Sequence, residues 1–173
     1  RSARLEQVAA LKIRLQAYVV QNRLPEAVDV ALTALRLVGV ELPRHPSGTE
    51  VVEQLTRTIG LLEGHTLDGL LELPAMTDPD RLAAMDLLGL LLPPAYWTSQ
   101  ELLGLTVFQM VQLTVRHGHS PNAGYGFSWW GITQCALLGN IDAGFAFGEF
   151  AIELAKRHRL RLQQPLFFAA WVI

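Results

Sequence analysis

The residue types best suited to chemistry are concentrated between positions 116 and 131, in the sequence RHGHSPNAGYGFSWWG. Histidines two positions apart are candidate metal ligands, and a serine among glycines is typical of nucleophile turns and phosphate-binding loops. Each of these sites needs a defined spacing and a supporting element next to it. Whether the chain is an enzyme therefore depends largely on whether this segment meets those requirements.

The two histidines do not have the spacing of a helical metal site. His117 and His119 would lie on opposite sides of a helix, so they could share a metal ion only in extended chain with ligands from elsewhere. The sequence has no Cys-x-x-Cys, His-Glu-x-x-His or calcium-loop pattern to supply those ligands. We expect His117 to lie at a helix end, where a cation faces the negative end of the dipole, and Gly118 to end that helix. No metal ligand is predicted.

The glycines of this segment do not form a nucleotide or nucleophile loop. Trp129 stands where G-x-G-x-x-G requires its third glycine, no strand precedes the segment, and the Lys-Ser or Lys-Thr of a P-loop is missing. GFSWW fails as G-x-S-x-G because Trp130 replaces the final glycine. We expect the glycines to be packing notches beneath bulky neighbours. The sequence predicts no catalytic residue and no cofactor-binding residue.

Four aromatic side chains are candidates for a protein-interaction surface. Aromatic residues dominate binding hot spots, although core packing is the competing interpretation for any single one. Adjacent residues on a helix point in directions about 100° apart. We therefore expect one ring of the adjacent pair to be partly exposed. The candidates are Tyr96, Trp97, Trp129 and Trp130.

The overall charge argues against a nucleic-acid partner. The net charge is −2, from 14 basic and 16 acidic side chains, and phosphate-backbone binding needs a strongly positive field. The only basic cluster, KRHRLR at 156–161, is best explained as complementing a helix dipole. Half of the residues are apolar and 17% are charged, which suggests that part of the apolar surface is covered by something. We expect protein partners.

Cysteine usage and apolar run lengths predict a cytoplasmic protein. Cys135 is the single cysteine, so an internal disulfide is excluded, and we expect its thiol to be a small buried apolar group. The chain opens without a secretory signal pattern. Its most apolar segment is interrupted by Pro93 and Pro94 after too few residues to cross a bilayer. No membrane insertion is predicted.

The elements that must position these residues are helices. Apolar residues recur at steps of three and four, proline and glycine mark the breaks, and no segment shows convincing strand alternation. The spacing predicts an all-α fold, with a helix stop at Pro93–Pro94 and a last helix cut by the end of the chain at residue 173. The predicted antiparallel hairpins cover about 4–39, 47–92, 99–138 and 121–158.

Two of these turns share a repeat-like pattern. A polar pair is followed by a large apolar residue, Leu24 or Ile141, and then by a small residue three positions later, Ala27 or Gly144. The two occurrences lie 117 residues apart, which would hold three units of 39. Small side chains at such positions let two helices of a hairpin approach closely. The pattern resembles that of tetratricopeptide (TPR) repeats, and it predicts a TPR-like α-α superhelix with degenerate repeats.

Three segments together resemble one protein family: MTDPDRLAAMDLLGLLLPPAYW, RHGHSPNAGYGFSWWGITQCALLGNIDAGFAFGEFAIEL and NRLPEAVDVALTALRLVGVELP. They are similar to the helical region of very large bacterial multi-sensor signalling kinases, over roughly residues 10–160. The shared motifs are structural, such as the MTDP helix start, the PPAY break and the SP before an aromatic helix. Where the family commonly shows GNSP, this chain has His119 in GHSP, which indicates a position that tolerates different side chains.

The resemblance implies a non-catalytic role. In that family a serine/threonine-kinase-like domain precedes an AAA/STAND-type ATPase domain, a long helical array, GAF or PAS sensors and often a histidine kinase. None of the family's catalytic motifs lies in this chain, so the resemblance implies an interaction and spacer module without a cofactor. The alternative is the effector- or partner-binding helical region of a STAND-type ATP-dependent transcription regulator.

The two ends of the sequence suggest a piece of a larger protein. The chain begins without Met and ends inside the apolar run LFFAAWVI. A helical array buries its core only between neighbouring units, so an excised piece would expose apolar faces at both ends. We expect contacts with neighbouring domains of the same protein, or self-association by end-to-end packing.

Overall fold

Helices make up the part of the chain that the computed structural model describes, residues 2–157, and no β-strand occurs within those residues. The all-α prediction is confirmed. The predicted last helix, and the basic cluster beyond Arg157, lie outside the described residues. The helices are α1 (Ser2–Val20), α2 (Leu24–Leu37), α3 (Gly48–Leu62), α4 (Leu67–Leu71), α5 (Pro79–Thr98), α6 (Gln100–His117), α7 (Ala123–Ala136) and α8 (Ile141–Arg157).

Within residues 2–157 the helices form three hairpins, α1 with α2, α5 with α6, and α7 with α8, and α6 also packs against α7. Short connections make each pair antiparallel. The first helices of two pairs run parallel to each other, because Arg4 and Lys12 of α1 form ion pairs with Asp80 and Asp86 of α5 in the same order along both helices. α5 packs against both α1 and α2, and α7 packs against both α5 and α6. Each new pair is thus added to both helices of the pair before it.

The segment between the first two pairs packs elsewhere than the sequence predicts. The predicted hairpin over 47–92 is divided, because α3 packs along α6 whereas α5 packs along α2 and α6. α3 begins with a capping box in which Ser47 and Glu50 exchange hydrogen bonds, so this start signal lies where the sequence places a cap. At the α3–α6 contact the Gln112 amide donates to Thr58 Oγ1 at 3.0 Å. This buried polar contact fixes α3 on α6.

The prediction that a helix stops at Pro93 and Pro94 is wrong, because α5 continues through both residues to Thr98. An interior proline removes one backbone hydrogen bond and costs about 3 kcal/mol. A fully buried leucine side chain contributes about 1.5–3 kcal/mol. Leu91 and Leu92 are fully buried, as is most of the helix around them. Burial between α2 and α6 therefore offsets the two lost hydrogen bonds.

The core is centred on α6 and α7. α6 packs against α3, α5 and α7, and α7 packs against α5, α6 and α8. A helix covered on several sides needs apolar side chains around most of its circumference. The largest fully buried rings come from these two helices, and Phe108 of α6 meets Trp130 of α7 edge-on with ring centroids 5.9 Å apart. On the other side of α7, Phe127 meets Phe150 of α8 at 4.8 Å.

Candidate functional site

The two histidines that first suggest a metal site are held apart in different environments. α6 ends at His117, whose side chain is exposed beside the negative end of the helix dipole. His119 is buried, and its Nε2 atom lies 2.8 Å from the carbonyl oxygen of Leu70 at the end of α4. Within residues 2–157 no three His, Cys, Asp or Glu side chains are grouped so that they could hold a metal ion. The geometry gives His119 a structural contact.

The backbone around His119 ties two distant connections together. The His119 N–H donates to the Pro74 carbonyl and the Met76 N–H donates to the His119 carbonyl, both at 2.8 Å. Gly118 precedes this contact with a φ of +94°, a conformation that favours glycine. A Cβ atom at Gly118 would lie 2.1 Å from the Pro74 carbonyl oxygen. Only glycine fits there, so the RHGH sequence encodes a backbone junction between the α4–α5 and α6–α7 connections.

Gly126 and Gly131 of α7 are packing notches, as the sequence predicts, and Gly144 of α8 is a third. A Cβ atom at Gly126 would lie 2.9 Å from the Cβ atom of Met110 on α6. On the opposite side, a Cβ atom at Gly131 would lie 2.9 Å from the Gly144 carbonyl oxygen, and one at Gly144 would lie 2.2 Å from Cys135 Sγ. The helices therefore touch backbone to backbone. Cys135 is half-buried against this contact rather than fully buried.

Both tryptophans of the adjacent pair are buried, so the expectation that one of them faces solvent is wrong. Trp129 is 5% exposed and Trp130 is 1% exposed. Their side chains leave α7 in different directions, but α7 is covered on more than one side. Trp130 packs toward Phe108 of α6, and Trp129 lies beneath Tyr96 of α5 with ring centroids 5.8 Å apart.

Of the four aromatic residues predicted to form an interaction surface, Tyr96 and Trp97 are exposed. We name this pair the aromatic corner. Tyr96 is 40% exposed and Trp97 is 74% exposed. The rings meet edge-on with centroids 5.1 Å apart and planes at 89°. The corner lies at the end of α5, where Ser99 caps the start of α6. Trp129 supports it from below, so the corner presents a large ring on a well-packed base.

Two further apolar surfaces were missed by the sequence reasoning. The first, the α1 stripe, faces solvent from α1, with Ile13 68% and Val20 87% exposed. It consists of Ala10, Ile13, Ala17 and Val20. The residues recur at steps of three and four, opposite the face that packs on α2 and α5. The sequence contained the information needed to find this stripe, because α1 carries a second apolar face in addition to the one assigned to the core.

The second such surface, the α8 stripe, consists of Ile141, Phe145 and Ile152. These side chains are 72%, 62% and 39% exposed. Their spacing of four and seven places them on one face of α8, and Gly148 lies between them on that face. The opposite face of α8 is buried against α7 through Phe150 and the residues near it. α8 is thus apolar on two faces, as a helix between two neighbours would be.

Titratable groups mostly support local structure. Burial raises the pKa of the Tyr125 phenol, and a side-chain hydrogen bond with Trp129 acts in the opposite direction. Hydrogen bonds from the Ser47 backbone and side chain lower the pKa of Glu50. Hydrogen bonds to Glu72 and Glu153 raise the pKa of Arg157, which links α8 to the end of α4. These contacts position helix ends.

Asp86 connects three helices at one point. Its carboxylate pairs with Lys12 of α1, and the side-chain amide of Asn122, just before α7, donates to Asp86 Oδ1 at 3.4 Å. A Cβ atom at Gly89 would lie 3.3 Å from the same Asn122 side chain. The first helices of the three hairpins are therefore joined through α5.

No helix in the described part of the chain is long and apolar enough to cross a membrane. Comparison of the chain with protein-family models, with curated proteins and with solved structures finds no match.

Proposed function

We propose that this chain is a cytoplasmic, non-catalytic helical interaction and spacer module of a multi-domain bacterial signal-transduction kinase. In that role it links an ATPase part to sensor and output domains, and it needs no cofactor of its own. The kinase context rests on the resemblance of three sequence segments. The interaction role rests on the surfaces of the folded chain.

The observation that carries the proposal is the pair of exposed apolar stripes on the first and last described helices. Ile13 and Val20 on α1, and Ile141 and Phe145 on α8, are each more than half exposed. Large apolar patches on a folded surface mark sites where another surface packs. Their position at opposite ends of the helical arrangement suits a module that is contacted from both sides.

The order of packing supports a TPR-like array. α5 packs on α1 and α2, and α7 packs on α5 and α6, so the first helix of each pair contacts both helices of the pair before it. This nearest-neighbour addition is the principle of solenoid proteins, in which each unit contacts only its neighbours. The departure from a regular array is the α3–α4 segment, which covers α6 and touches α8. That departure accounts for the degenerate repeat pattern.

The alternative is the effector- or partner-binding helical region of a STAND-type transcription regulator, and the aromatic corner is the surface at which ligand binding can be tested. Trp97 is 74% exposed beside Tyr96, so a ligand bound there would change the fluorescence of a tryptophan that solvent reaches directly. Exposed aromatic rings on a rigid base also suit protein partners. The corner is therefore relevant to both proposals.

The coding frame on either side of this segment separates the two proposals most directly. The kinase proposal expects a Walker A motif upstream and GAF and kinase motifs downstream. A C-terminal helix-turn-helix would instead support the transcription regulator. A frame that encodes neither set of motifs would overturn both.

A substitution in the parent protein tests the interaction role itself. Trp97→Ala should leave helix content and unfolding temperature nearly unchanged, because the ring is mostly solvated, and should alter the output kinase activity. The matched control is Val52→Ala on α3, which removes an apolar side chain that is 61% exposed on a different helix. Equal output from the parent protein and both variants would contradict a role for the corner.

A further inference from the structure

The two stripes are complementary when α1 of one copy lies antiparallel to α8 of another. Ile141 and Phe145 near the start of α8 then face the end of α1, and Ile152 faces its first half. With the helices in one register, a large side chain meets a small residue at three of the four facing positions, and two large side chains meet at the remaining one. The facing pairs are Ile141 with Val20, Phe145 with Ala17, Gly148 with Ile13, and Ile152 with Ala10.

Gly148 gives this register its closest fit. A Cβ atom at Gly148 would have no heavy atom within 4 Å, so the space above that glycine is open. Ile13, which is 68% exposed on α1, projects from the position that faces it. One position along, the exposed Phe145 ring faces the short side chain of Ala17. Alternating large and small residues in this way lets two helices interdigitate.

Charge at the end of the contact agrees with the same register. Lys156 continues the α8 stripe one turn beyond Ile152, and Glu6 continues the α1 stripe one turn before Ala10. Both side chains are exposed, and they face each other in the antiparallel arrangement. An opposite pair at the rim of an apolar contact fixes its register more than it adds affinity.

The fold also dictates this direction of packing. α5 runs parallel to α1 and α7 runs parallel to α5, since Asn122 contacts Asp86 and Trp129 contacts Tyr96 in the same order along both helices. Each of these first helices packs antiparallel to the second helix of the preceding pair. A first helix placed next on α8 would follow the same rule. Among the first helices of the three hairpins, α1 has no preceding pair packed against it within the described residues.

We propose that the α8 stripe binds the α1 stripe of a second copy of this chain, so that copies assemble head to tail. This inference rests on the proposed interaction function and specifies its partner. The contact joins two different surfaces, so it does not close on itself as a twofold dimer does. Association therefore extends with concentration to trimers and longer species.

Sedimentation velocity over a wide concentration range tests the assembly with the full 173-residue chain. Phe145→Glu and Ala17→Glu each place a charge in the apolar contact and should weaken association about tenfold or more. The matched control, Val52→Glu, adds the same charge at a similarly exposed site on α3 and should leave association unchanged. Glu6→Lys and Lys156→Glu should each weaken association, and the double variant should restore it.

Mixed cross-linking tests the head-to-tail geometry. In a Cys135→Ser background, chains with Val20→Cys are mixed with chains with Ile141→Cys under mild oxidation. A covalent dimer should form in the mixture and not with either variant alone. Efficient dimers of Ile141→Cys with itself would indicate a twofold α8–α8 contact and would overturn the proposal.

Thiol labelling of the Ile141→Cys chain shows whether the α8 stripe is covered by a second copy or by another part of the same chain. Labelling should be fast in dilute solution and slow at concentrations where the chain associates. Slow labelling at every concentration would mean that the α8 stripe is covered within a single chain, which overturns the proposal. A chain that stays monomeric throughout also overturns it. Neither result touches the proposed signalling function, which the coding frame and Trp97→Ala test separately.

Discussion

The Nε2 atom of His119 lies 2.8 Å from the carbonyl oxygen of Leu70, although 49 positions separate the two residues along the chain. The same segment exchanges two backbone hydrogen bonds with residues 74–76. The imidazole thus anchors the end of α4 to the turn between α6 and α7. A residue type associated with metal binding here holds two connections together.

We expect His119→Ala to lower the free energy of unfolding by about 1–3 kcal/mol, because it leaves the buried Leu70 carbonyl without this partner and opens a cavity. Urea unfolding followed by circular dichroism measures the change. His117→Ala, two positions away and exposed, is the control and should change the free energy of unfolding by less than about 0.5 kcal/mol. A rise in unfolding temperature of the parent chain with Zn²⁺, lost in both variants, would contradict the structural role.

Gly118→Ala should be among the most destabilising single-methyl substitutions in this chain. The added methyl group would be 2.1 Å from the Pro74 carbonyl oxygen, and the φ of +94° is strained for alanine. We expect a loss of about 3 kcal/mol or more in the free energy of unfolding, or failure to fold. The control Gly139→Ala also has a positive φ, +63°, but its methyl group would meet nothing within 4 Å. It should cost only about 1 kcal/mol.

The sequence predicts no nucleotide loop here, and it was insufficient to reveal the backbone junction at Gly118. The spacing tests failed at Trp129 and Trp130, and the glycine-notch interpretation is confirmed by contacts that involve backbone atoms. The partner of Gly118 is a carbonyl oxygen 44 positions earlier, at Pro74. Local patterns report turns and helix ends, but they carry no information on which distant backbone a turn will meet.

We expect Gly144→Ala to destabilise the α7–α8 pair. Its methyl group would lie 2.2 Å from Cys135 Sγ and 2.8 Å from the Gly131 carbonyl oxygen, so the helices would have to separate. The expected loss in the free energy of unfolding is about 1–3 kcal/mol, as for overpacking of a core. Gly60→Ala is the control, because its methyl group would have no neighbour within 4 Å on α3.

Gly60→Ala should stabilise the chain by about 0.5–1 kcal/mol, since alanine is the better helix former. Gly144→Ala and Gly60→Ala are compared with the parent chain by thermal unfolding under identical conditions. A similar small gain from Gly144→Ala would show that α7 and α8 do not approach as closely as described.

The helical class followed from periodicity, whereas the fate of individual helices depended on tertiary neighbours. Pro93 and Pro94 carry a strong local stop signal, yet α5 continues because burial of the surrounding leucines offsets the missing hydrogen bonds. The burial of Trp129 and Trp130 could not be predicted from their being adjacent. Adjacent side chains on a helix point in different directions, but neighbouring helices can cover both directions. In both wrong predictions, the helix stop and the exposed tryptophan, the residues concerned are covered by helices that are distant in sequence.

Glu50 makes the stability of α3 depend on pH. Hydrogen bonds from the Ser47 backbone and side chain hold its pKa below the ordinary value of 4.5. The folded chain therefore binds fewer protons than the unfolded chain in this range, and stability rises with pH. The contribution is fully present above about pH 5 and is lost as the pH falls through the lowered pKa.

Glu50→Gln should therefore be less stable than the parent chain at neutral pH, and the difference should shrink as the pH is lowered past the ordinary carboxyl value. Glutamine can still accept the Ser47 N–H in a capping box, so the loss isolates the charge of the carboxylate. Unfolding temperatures measured between neutral and acidic pH give the comparison. Glu53→Gln, which removes a carboxylate from the same helix outside the capping box, should show no matching convergence. Parallel pH profiles for the parent chain and Glu50→Gln would contradict the inferred pKa.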